Sequence, residues 1–153
     1  LLGEFTKIER VTSNAMHLNR KKYRVIDIID NAFDLLLIED PGEMIDVEVQ
    51  HNLEIEADYE LMSIALKNLI DNALKYSRER AVVSVERDRI TVRSSGEKVE
   101  NLSFEKPFNR KYEGSEKGLG FGLYITQNIV TKHGYALLYE YVEGENLFTI
   151  MAA

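Results

Sequence analysis

Short segments in which apolar and polar residues alternate occur in three closely spaced pairs, and this pattern limits the possible folds more than any other feature of the sequence. The six segments are 45–50, 53–57, 81–86, 90–95, 135–142 and 146–152. Alternation with a period of two residues is typical of a strand that buries one face. Because only a few residues separate the members of each pair, we predict three β-hairpins. His51 and Asn52 would form the first turn, which joins 45–50 to 53–57.

Single helical segments precede and separate these hairpins. Apolar residues recur every three or four positions in four segments, which are 1–18, 27–40, 58–77 and about 121–133. Asp58 can cap the third helix, and Pro41–Gly42 can end the second. A short extended segment, 22–26, is predicted before the second helix. Strand pairs that alternate with single helices predict an α+β sandwich whose helices pack on one face of the sheet.

The composition narrows the classes of function. The chain has 153 residues, of which 44% are hydrophobic, so it can form one domain with a real core. The net charge of -7 argues against non-specific binding of nucleic acid, and the absence of cysteine excludes disulfides and thiolate metal sites. No apolar run approaches the roughly 20 residues that a membrane-spanning helix needs. Since the first residue is Leu1 rather than methionine, we expect the chain to be part of a longer protein.

Two asparagines lie one turn apart in the helix predicted over 58–77. At helical spacing Asn68, Asn72, Lys75 and Tyr76 form one stripe, and the neighbouring apolar stripe can pack on the sheet. An amide oxygen at the border of the core is a hard, neutral ligand that suits Mg²⁺, and Lys75 can meet a phosphate group as a point charge. The alternative is a solvated helix face on which the two asparagines have no function.

Three glycines precede the last predicted helix, in the stretch 118-GLGFGLYI-125. Glycine allows the backbone to approach a ligand closely, and the start of a helix offers unpaired N–H groups to a phosphate. The preceding segment, 96–118, is long, charged and without periodicity, which is typical of a lid or a binding loop. A glycine run alone is weak support for a binding site, because a flexible loop that leads into a helix looks the same.

Together these stretches resemble the sequence boxes of sensor histidine kinases. The stretch 68-NLIDNALKYS-77 is similar to the N box, 118-GLGFGLYI-125 to the second glycine box, and 104-FEKPFNR-110 to the F box, with one residue more than its commonest form. The resemblance extends from about Tyr23 to the C-terminus. It implies the catalytic, ATP-binding domain of a two-component kinase. It also implies a Bergerat-type two-layer α/β sandwich, with a mixed sheet, about three helices on one face and a mobile ATP lid.

The resemblance assigns roles to individual residues. The residue that matches Asn72 coordinates Mg²⁺ on the ATP phosphates, and the one that matches Asn68 lies beside it at the phosphate end. Lys75 matches a phosphate-contacting position, so the implied catalytic residues are Asn68, Asn72 and Lys75. The implied nucleotide-binding positions are these three together with Tyr76, Ser94, Gly96, Gly118, Leu119, Gly120, Gly122 and Leu123.

The resemblance also implies a domain division and partners. Residues 1–18 would be the end of the second helix of a dimerisation and phosphoacceptor domain, and 19–153 the catalytic domain with its lid at about 96–118. None of the chain's three histidines has the setting H-E-x-x-[TN]-P of a phosphoacceptor, so the accepted phosphoryl group is expected on a histidine outside this chain. The implied partners are the protein's own dimerisation domain in a homodimer and a response regulator, without nucleic acid. The domain would be cytoplasmic, in a membrane-anchored protein.

One stretch departs from the family's pattern. The first glycine box is commonly D-x-G-x-G, and its aspartate accepts a hydrogen bond from the adenine amine; the corresponding stretch here is 92-VRSSGEKV-99. Ser94 stands in place of the aspartate, and Lys98 in place of the second glycine. The strand alternation still points Ser94 inward. A hydroxyl makes a weaker contact than a carboxylate, by about 1.5–3 kcal/mol or roughly ten- to a hundredfold in affinity.

Two hypotheses follow from this departure. In the first, the domain is an active kinase domain that binds ATP weakly at its base end and relies on Mg²⁺ and Asn72. In the second, it is a degenerate domain that binds ATP poorly and acts mainly through protein contacts. We favour the first because the phosphate-side residues are intact, and titration with ATP and Mg²⁺ separates the two. A further alternative is another ATPase of the same superfamily, of the Hsp90, gyrase or mismatch-repair type.

Overall fold

The computed structural model describes residues 17–37, 39–77, 79–99 and 119–152. Three α-helices lie in these residues: α1 (Val25–Leu36), α2 (Tyr59–Tyr76) and α3 (Leu119–Lys132). The strands in the same ranges are β1 (Arg20–Arg24), β2 (Ile45–Val49), β3 (Glu54–Asp58), β4 (Ala81–Val85), β5 (Arg89–Ser95), β6 (Ala136–Val142) and β7 (Glu145–Met151). Nearly all of the helix predicted over 1–18, and the predicted lid from residue 100 onwards, lie outside the described residues.

Five strands form a mixed sheet in the order β2-β4-β5-β7-β6. Strand β2 runs parallel to β4, and the other neighbours are antiparallel. The hairpins predicted over 81–95 and 135–152 are confirmed as β4–β5 and β6–β7. In the second hairpin Glu143 and Gly144 have φ of 50° and 80°, the positive values that a tight two-residue turn needs.

The first predicted hairpin is wrong. Strand β2 pairs with β4, whereas β3 pairs antiparallel with β1 in a separate two-stranded sheet. The backbone N–H groups of Gln50 and His51 donate to the carbonyl of Val85 at 2.9 and 3.3 Å, so the chain follows β4 beyond β2 instead of turning back. Alternation shows which face of a strand is buried but not which strand lies beside it, and for this reason the local pattern suggested a hairpin.

The helices form one layer on the sheet, and the predicted α+β sandwich is confirmed. Helix α2 lies between α1 and α3 and packs over β5. Its predicted apolar stripe is buried, and the residues of that stripe are Met62, Leu66, Leu69, Ile70 and Ala73. They share one core with sheet residues such as Ile90, Val92 and Ile150. Burial of these side chains fixes α2 against the sheet and so fixes the position of its polar stripe.

Local contacts set the ends of α1 and α2. One carboxylate oxygen of Asp58 accepts a hydrogen bond from the N–H of Leu61 at 3.1 Å, which confirms the predicted cap of α2, and the other accepts from the N–H of Asn19 at 3.1 Å. Helix α1 ends at Leu36, earlier than predicted, since Leu37 adopts a left-handed conformation with φ of 59°. Within the described ranges, no helix is both long and apolar enough to span a membrane.

Candidate nucleotide-binding site

Helix α2 carries the three candidate catalytic residues along one edge of the core. Its first turn contains Glu60 and its last turn Lys75, charges that interact favourably with the helix dipole at either end. Asn68 is half-buried, Asn72 is buried with 8% of its surface exposed, and Lys75 is exposed. Hence the amides border the core, as predicted, and the ammonium group reaches solvent. Tyr76 ends the helix, and its side chain lies outside the described part of the structure.

The carboxamide of Asn72 has an unsatisfied polar atom. Its Nδ2 is buried and has no hydrogen-bond partner among the described residues. A buried polar group without a partner costs about 1–3 kcal/mol. A ligand that binds at this site would explain why such a group is kept here. Rotation of the amide by half a turn exchanges its oxygen and nitrogen, so the same side chain can present an oxygen to a cation. The residue therefore fits the implied role of a Mg²⁺ ligand.

Asn68 connects α2 to α3. Its Nδ2 donates to the Oγ1 of the buried Thr126 at 3.4 Å. A bond of this length is weak, but it turns the amide nitrogen towards α3. The sequence did not assign a role to Thr126, and the available signal was a hydroxyl residue among the apolar positions of the last helix.

Lys75 forms an ion pair with Asp71, one turn before it on α2. The Nζ of Lys75 lies 3.1 Å from the Oδ2 of Asp71, and both side chains are partly exposed. An ion pair at the surface contributes little to stability, so Lys75 can turn to a phosphate group without a large loss. The sequence analysis assigned no role to Asp71, and the structure shows it as an ion-pair partner of Lys75.

Gly120 and Gly122 lie within the first turn of α3 rather than before it. The helix begins at Leu119, whereas the sequence predicted a start at about 121, so Gly120 and Gly122 are helical. The first four N–H groups of an α-helix have no partner within the helix. Apart from its chain neighbours and the backbone of its own helix, no described atom lies within 4 Å of where a Cβ on Gly122 would stand, so no described side chain covers the backbone on that side. Leu123 is buried in the core, and Gly118 lies outside the described residues.

Ser94 lies near the end of β5 and faces the helical layer. It is 5% exposed and shares the inward face of the strand with Ile90 and Val92, which confirms its predicted orientation. Gly96 has φ of 154° and donates its N–H to the carbonyl of Gly144 at 3.0 Å. Because α2 packs against both β5 and α3, neighbouring elements carry the asparagines, Ser94 and the glycines.

The described residues contain no group of histidine and acidic side chains able to hold a metal ion by themselves. A cation at this site would therefore depend on an amide oxygen and on oxygens of the ligand it accompanies. A cavity of about 290 Å³ is lined by Asn19, Tyr23 and Tyr59. It lies on the order of 20 Å along α2 from Asn72, at about 1.5 Å per residue, so it is separate from the candidate site.

Comparisons with known proteins agree with this arrangement. The sequence model of histidine kinase-, DNA gyrase B-, and HSP90-like ATPases matches residues 57–151. The sensor histidine kinase ArsS of Helicobacter pylori is 36% identical, over 98% of this chain and 36% of that protein. The sensor histidine kinase HprS of Escherichia coli is 28% identical, over 97% of this chain and 37% of that protein. The chain thus spans little more than a third of either relative.

Solved structures show the same fold. The histidine kinase AdeS of Acinetobacter baumannii matches with a TM-score of 0.71 at 18% identity, over 100% of this chain and 76% of that chain. Full-length ShkA in complex with AMPPNP matches with a TM-score of 0.76 at 19% identity, over 99% of this chain and 34% of that chain. These structures confirm the predicted Bergerat-type sandwich, and the relatives confirm the resemblance to sensor histidine kinases. Because the matched residues 57–151 are more than half of the chain, it belongs to the histidine kinase-, DNA gyrase B-, and HSP90-like ATPase family.

Proposed function

We propose that the chain is the ATP-binding catalytic domain of a sensor histidine kinase, which transfers the γ-phosphoryl group of ATP to a histidine of an adjacent dimerisation domain. The observation that carries the proposal is the buried amide of Asn72, unpartnered among the described residues, on a helix whose neighbours bear the glycine run and Ser94. The chain belongs to a family of ATPases, and both named relatives are sensor histidine kinases.

In this proposal α2 and the start of α3 bind the triphosphate of ATP. Asn72 supplies an amide oxygen to Mg²⁺, and Asn68 lies one turn earlier at the phosphate end. Lys75 exchanges its carboxylate partner, Asp71, for a phosphate oxygen. The N–H groups at the start of α3, which have no partner within the helix, donate to the same phosphates. When bound, Mg²⁺ neutralises phosphate charge, and such a set of groups positions the nucleotide, which is the main task of an enzyme in phosphoryl transfer.

The acceptor histidine belongs to another domain in this proposal. His133 is buried, and both of its ring nitrogens are hydrogen-bonded, so it is closed to a phosphoryl group. His17 and His51 are exposed but lie outside a phosphoacceptor motif. We infer that the full-length protein forms a homodimer through its dimerisation domain, passes the phosphoryl group to a response regulator and is anchored in a membrane with this domain in the cytoplasm. Nucleic acid is not among the proposed partners.

Titration of the domain with a non-hydrolysable ATP analogue tests the proposal. We expect saturable binding in the presence of Mg²⁺, with an affinity that falls about a hundredfold when a chelator removes the metal, because the phosphates then lose both the charge of the metal and its bond to Asn72. Calorimetry gives both dissociation constants. The NMR resonances of the Asn72 side-chain amide should shift only when the metal is present. If no saturable binding occurs up to on the order of 1 mM analogue, the degenerate domain that acts through protein contacts is the better description.

Substitution of Ser94 tests whether β5 contacts the base. We expect Ser94→Asp to raise the affinity for ATP about tenfold, since a carboxylate accepts a stronger hydrogen bond from the adenine amine than a hydroxyl does. Ser94→Ala should lower the affinity about threefold. Calorimetry on the three proteins should therefore give affinities for ATP that decrease in the order Asp, Ser, Ala at position 94. GTP is the control, because its base lacks that amine and Ser94→Asp should not improve its binding. Equal ATP affinities for the three proteins would place the base elsewhere.

A further inference from the structure

The segment that follows β5 is fastened to the β6–β7 hairpin. The carbonyl of Gly96 accepts a hydrogen bond from the hydroxyl of Tyr141 at 2.8 Å, and its N–H is bonded to the turn of the same hairpin. The N–H of Val99 donates to the hydroxyl of Tyr139 at 3.2 Å. The first residues of the predicted lid, 96–99, are thus held by contacts from one strand pair.

Asn146 lies at the centre of these contacts. It is 1% exposed, its Nδ2 donates to the carbonyl of Glu97 at 3.0 Å, and its Oδ1 accepts from the N–H of Val99 at 3.2 Å. The same Oδ1 accepts from the hydroxyl of Tyr139. In the register of the sheet, Asn146 lies directly opposite Ser94. One buried carboxamide therefore binds the backbone on both sides of a short loop that begins two residues after Ser94.

We propose that Asn146 is a positioning residue for the base end of the nucleotide site, an inference that rests on the proposed function. Because its amide holds both Glu97 and Val99, the backbone that follows Ser94 keeps one path before any nucleotide arrives. A loop that is ordered in advance gives up less conformational entropy on binding, so the affinity is higher than it would be for a free loop.

This role predicts which ligands are affected. Asn146 acts through the loop next to Ser94 and not through the phosphates, so its removal should weaken ligands that share the adenine base by the same factor. A change at the phosphate end, such as one at Asn72, should instead affect ATP with Mg²⁺ more than ADP without it. Comparing these two ligands therefore separates the two ends of the site.

The test compares Asn146→Ala with Thr149→Val, a control in the same strand. Thr149 lies on the opposite face of the sheet, where its hydroxyl is bonded to that of Thr91 at 3.2 Å. Calorimetry measures the dissociation constants for ADP without Mg²⁺ and for ATP with Mg²⁺, and NMR measures hydrogen exchange of the Val99 amide. We expect Asn146→Ala to weaken both ligands by the same factor, about three to ten, and to speed that exchange about tenfold. Thr149→Val should change neither quantity.

Three other results would be informative. Wild-type affinities in a folded Asn146→Ala protein would overturn the inference and leave the proposed function intact. A loss confined to ATP with Mg²⁺ would overturn it too, because the effect would then lie at the phosphate end. Failure of the wild type to bind either nucleotide would instead contradict the proposed function. If Asn146→Ala does not fold, the same measurements on Asn146→Ser decide the question with a smaller change.

Discussion

Replacing Asn72 with alanine is expected to weaken the binding of ATP with Mg²⁺ roughly a hundredfold, as for the loss of a buried bond to a charged group. The domain should stay folded, because the Nδ2 of Asn72 is buried without a partner among the described residues, and the variant removes that unsatisfied group. We therefore expect a free energy of unfolding equal to or slightly above that of the wild type. Opposite effects on affinity and stability are typical of a residue kept for function. Calorimetry and urea denaturation measure the two quantities.

Asn128→Ala is the matched control for this prediction. The amide of Asn128 lies on α3 and donates to the carbonyl of Tyr124 in its own helix at 2.9 Å, so its removal should leave the ATP affinity unchanged. Asn72→Asp provides a second test, because it keeps the shape of the side chain and places a negative charge near the phosphates, which should also weaken binding. Wild-type affinity in both Asn72 variants would show that the residue does not bind the metal.

Replacing His133 with phenylalanine is expected to lower the free energy of unfolding by about 3 kcal/mol. The Nε2 of His133 accepts a hydrogen bond from the backbone N–H of Asp58 at 2.9 Å, so its Nδ1 carries the proton and donates to the carbonyl of Ile129 at 2.7 Å. Phenylalanine would leave a buried N–H without its acceptor and remove the bond to Ile129. Since Asp58 also caps α2, the loss affects the end of α3 and the start of α2 together. Urea denaturation near neutral pH measures this loss.

The same histidine makes stability depend on pH. Burial lowers the pKa of His133 below its ordinary value; the Ile129 carbonyl and Asp58 oppose this shift, and Arg20 reinforces it. The unfolded chain therefore binds the proton more readily than the folded chain, and stability rises with pH. This contribution is complete above the unfolded pKa of about 6.5 and is lost as the pH falls below it. A protonated ring would also present a second donor to the N–H of Asp58.

Unfolding measured from about pH 8 down to about pH 5 tests this dependence. The wild type should lose stability below about pH 6.5, and His133→Phe should lack the part of that slope that His133 supplies. His51→Gln changes an exposed histidine and should keep the wild-type slope, with a stability within about 0.5 kcal/mol of the wild type. Identical slopes for the wild type and His133→Phe would mean that His133 does not titrate differently in the folded state.

Elements that depend on residues close together in the sequence could be predicted from the sequence. Helix α2 and its cap at Asp58 follow from apolar spacing and a capping residue, and the two confirmed hairpins follow from alternation on either side of a short turn. The pairing of β2 with β4 could not be predicted in this way, because it joins Ile45 to Ala81. The alternation within β2 is compatible with any neighbour that leaves its apolar face inward.

The same distinction, between features set by local sequence and features set by contacts between distant residues, applies to the candidate site. The residues of α2 and the inward face of Ser94 follow from the period of one element, whereas the contacts of Asn146 and His133 join positions 49 and 75 residues apart. A signal for Asn146 was nevertheless present in the sequence. It occupies the same face of β7 as Phe148 and Ile150, and an amide at a buried position requires partners. Only the folded chain shows that these partners are the backbone of residues 97 and 99.

The hydrogen bonds that the Asp58 carboxylate accepts from Leu61 and Asn19 have a mechanical consequence. One oxygen of its carboxylate is bonded to the first turn of α2, and the other to the backbone of Asn19, just before β1. The segment at Asn19 is therefore held to the first turn of α2 by this carboxylate, in addition to the pairing of β1 with β3. We expect a displacement of Asn19 to be transmitted to the first turn of α2, so that the direction of the chain at Asn19 and the tilt of this helix are coupled.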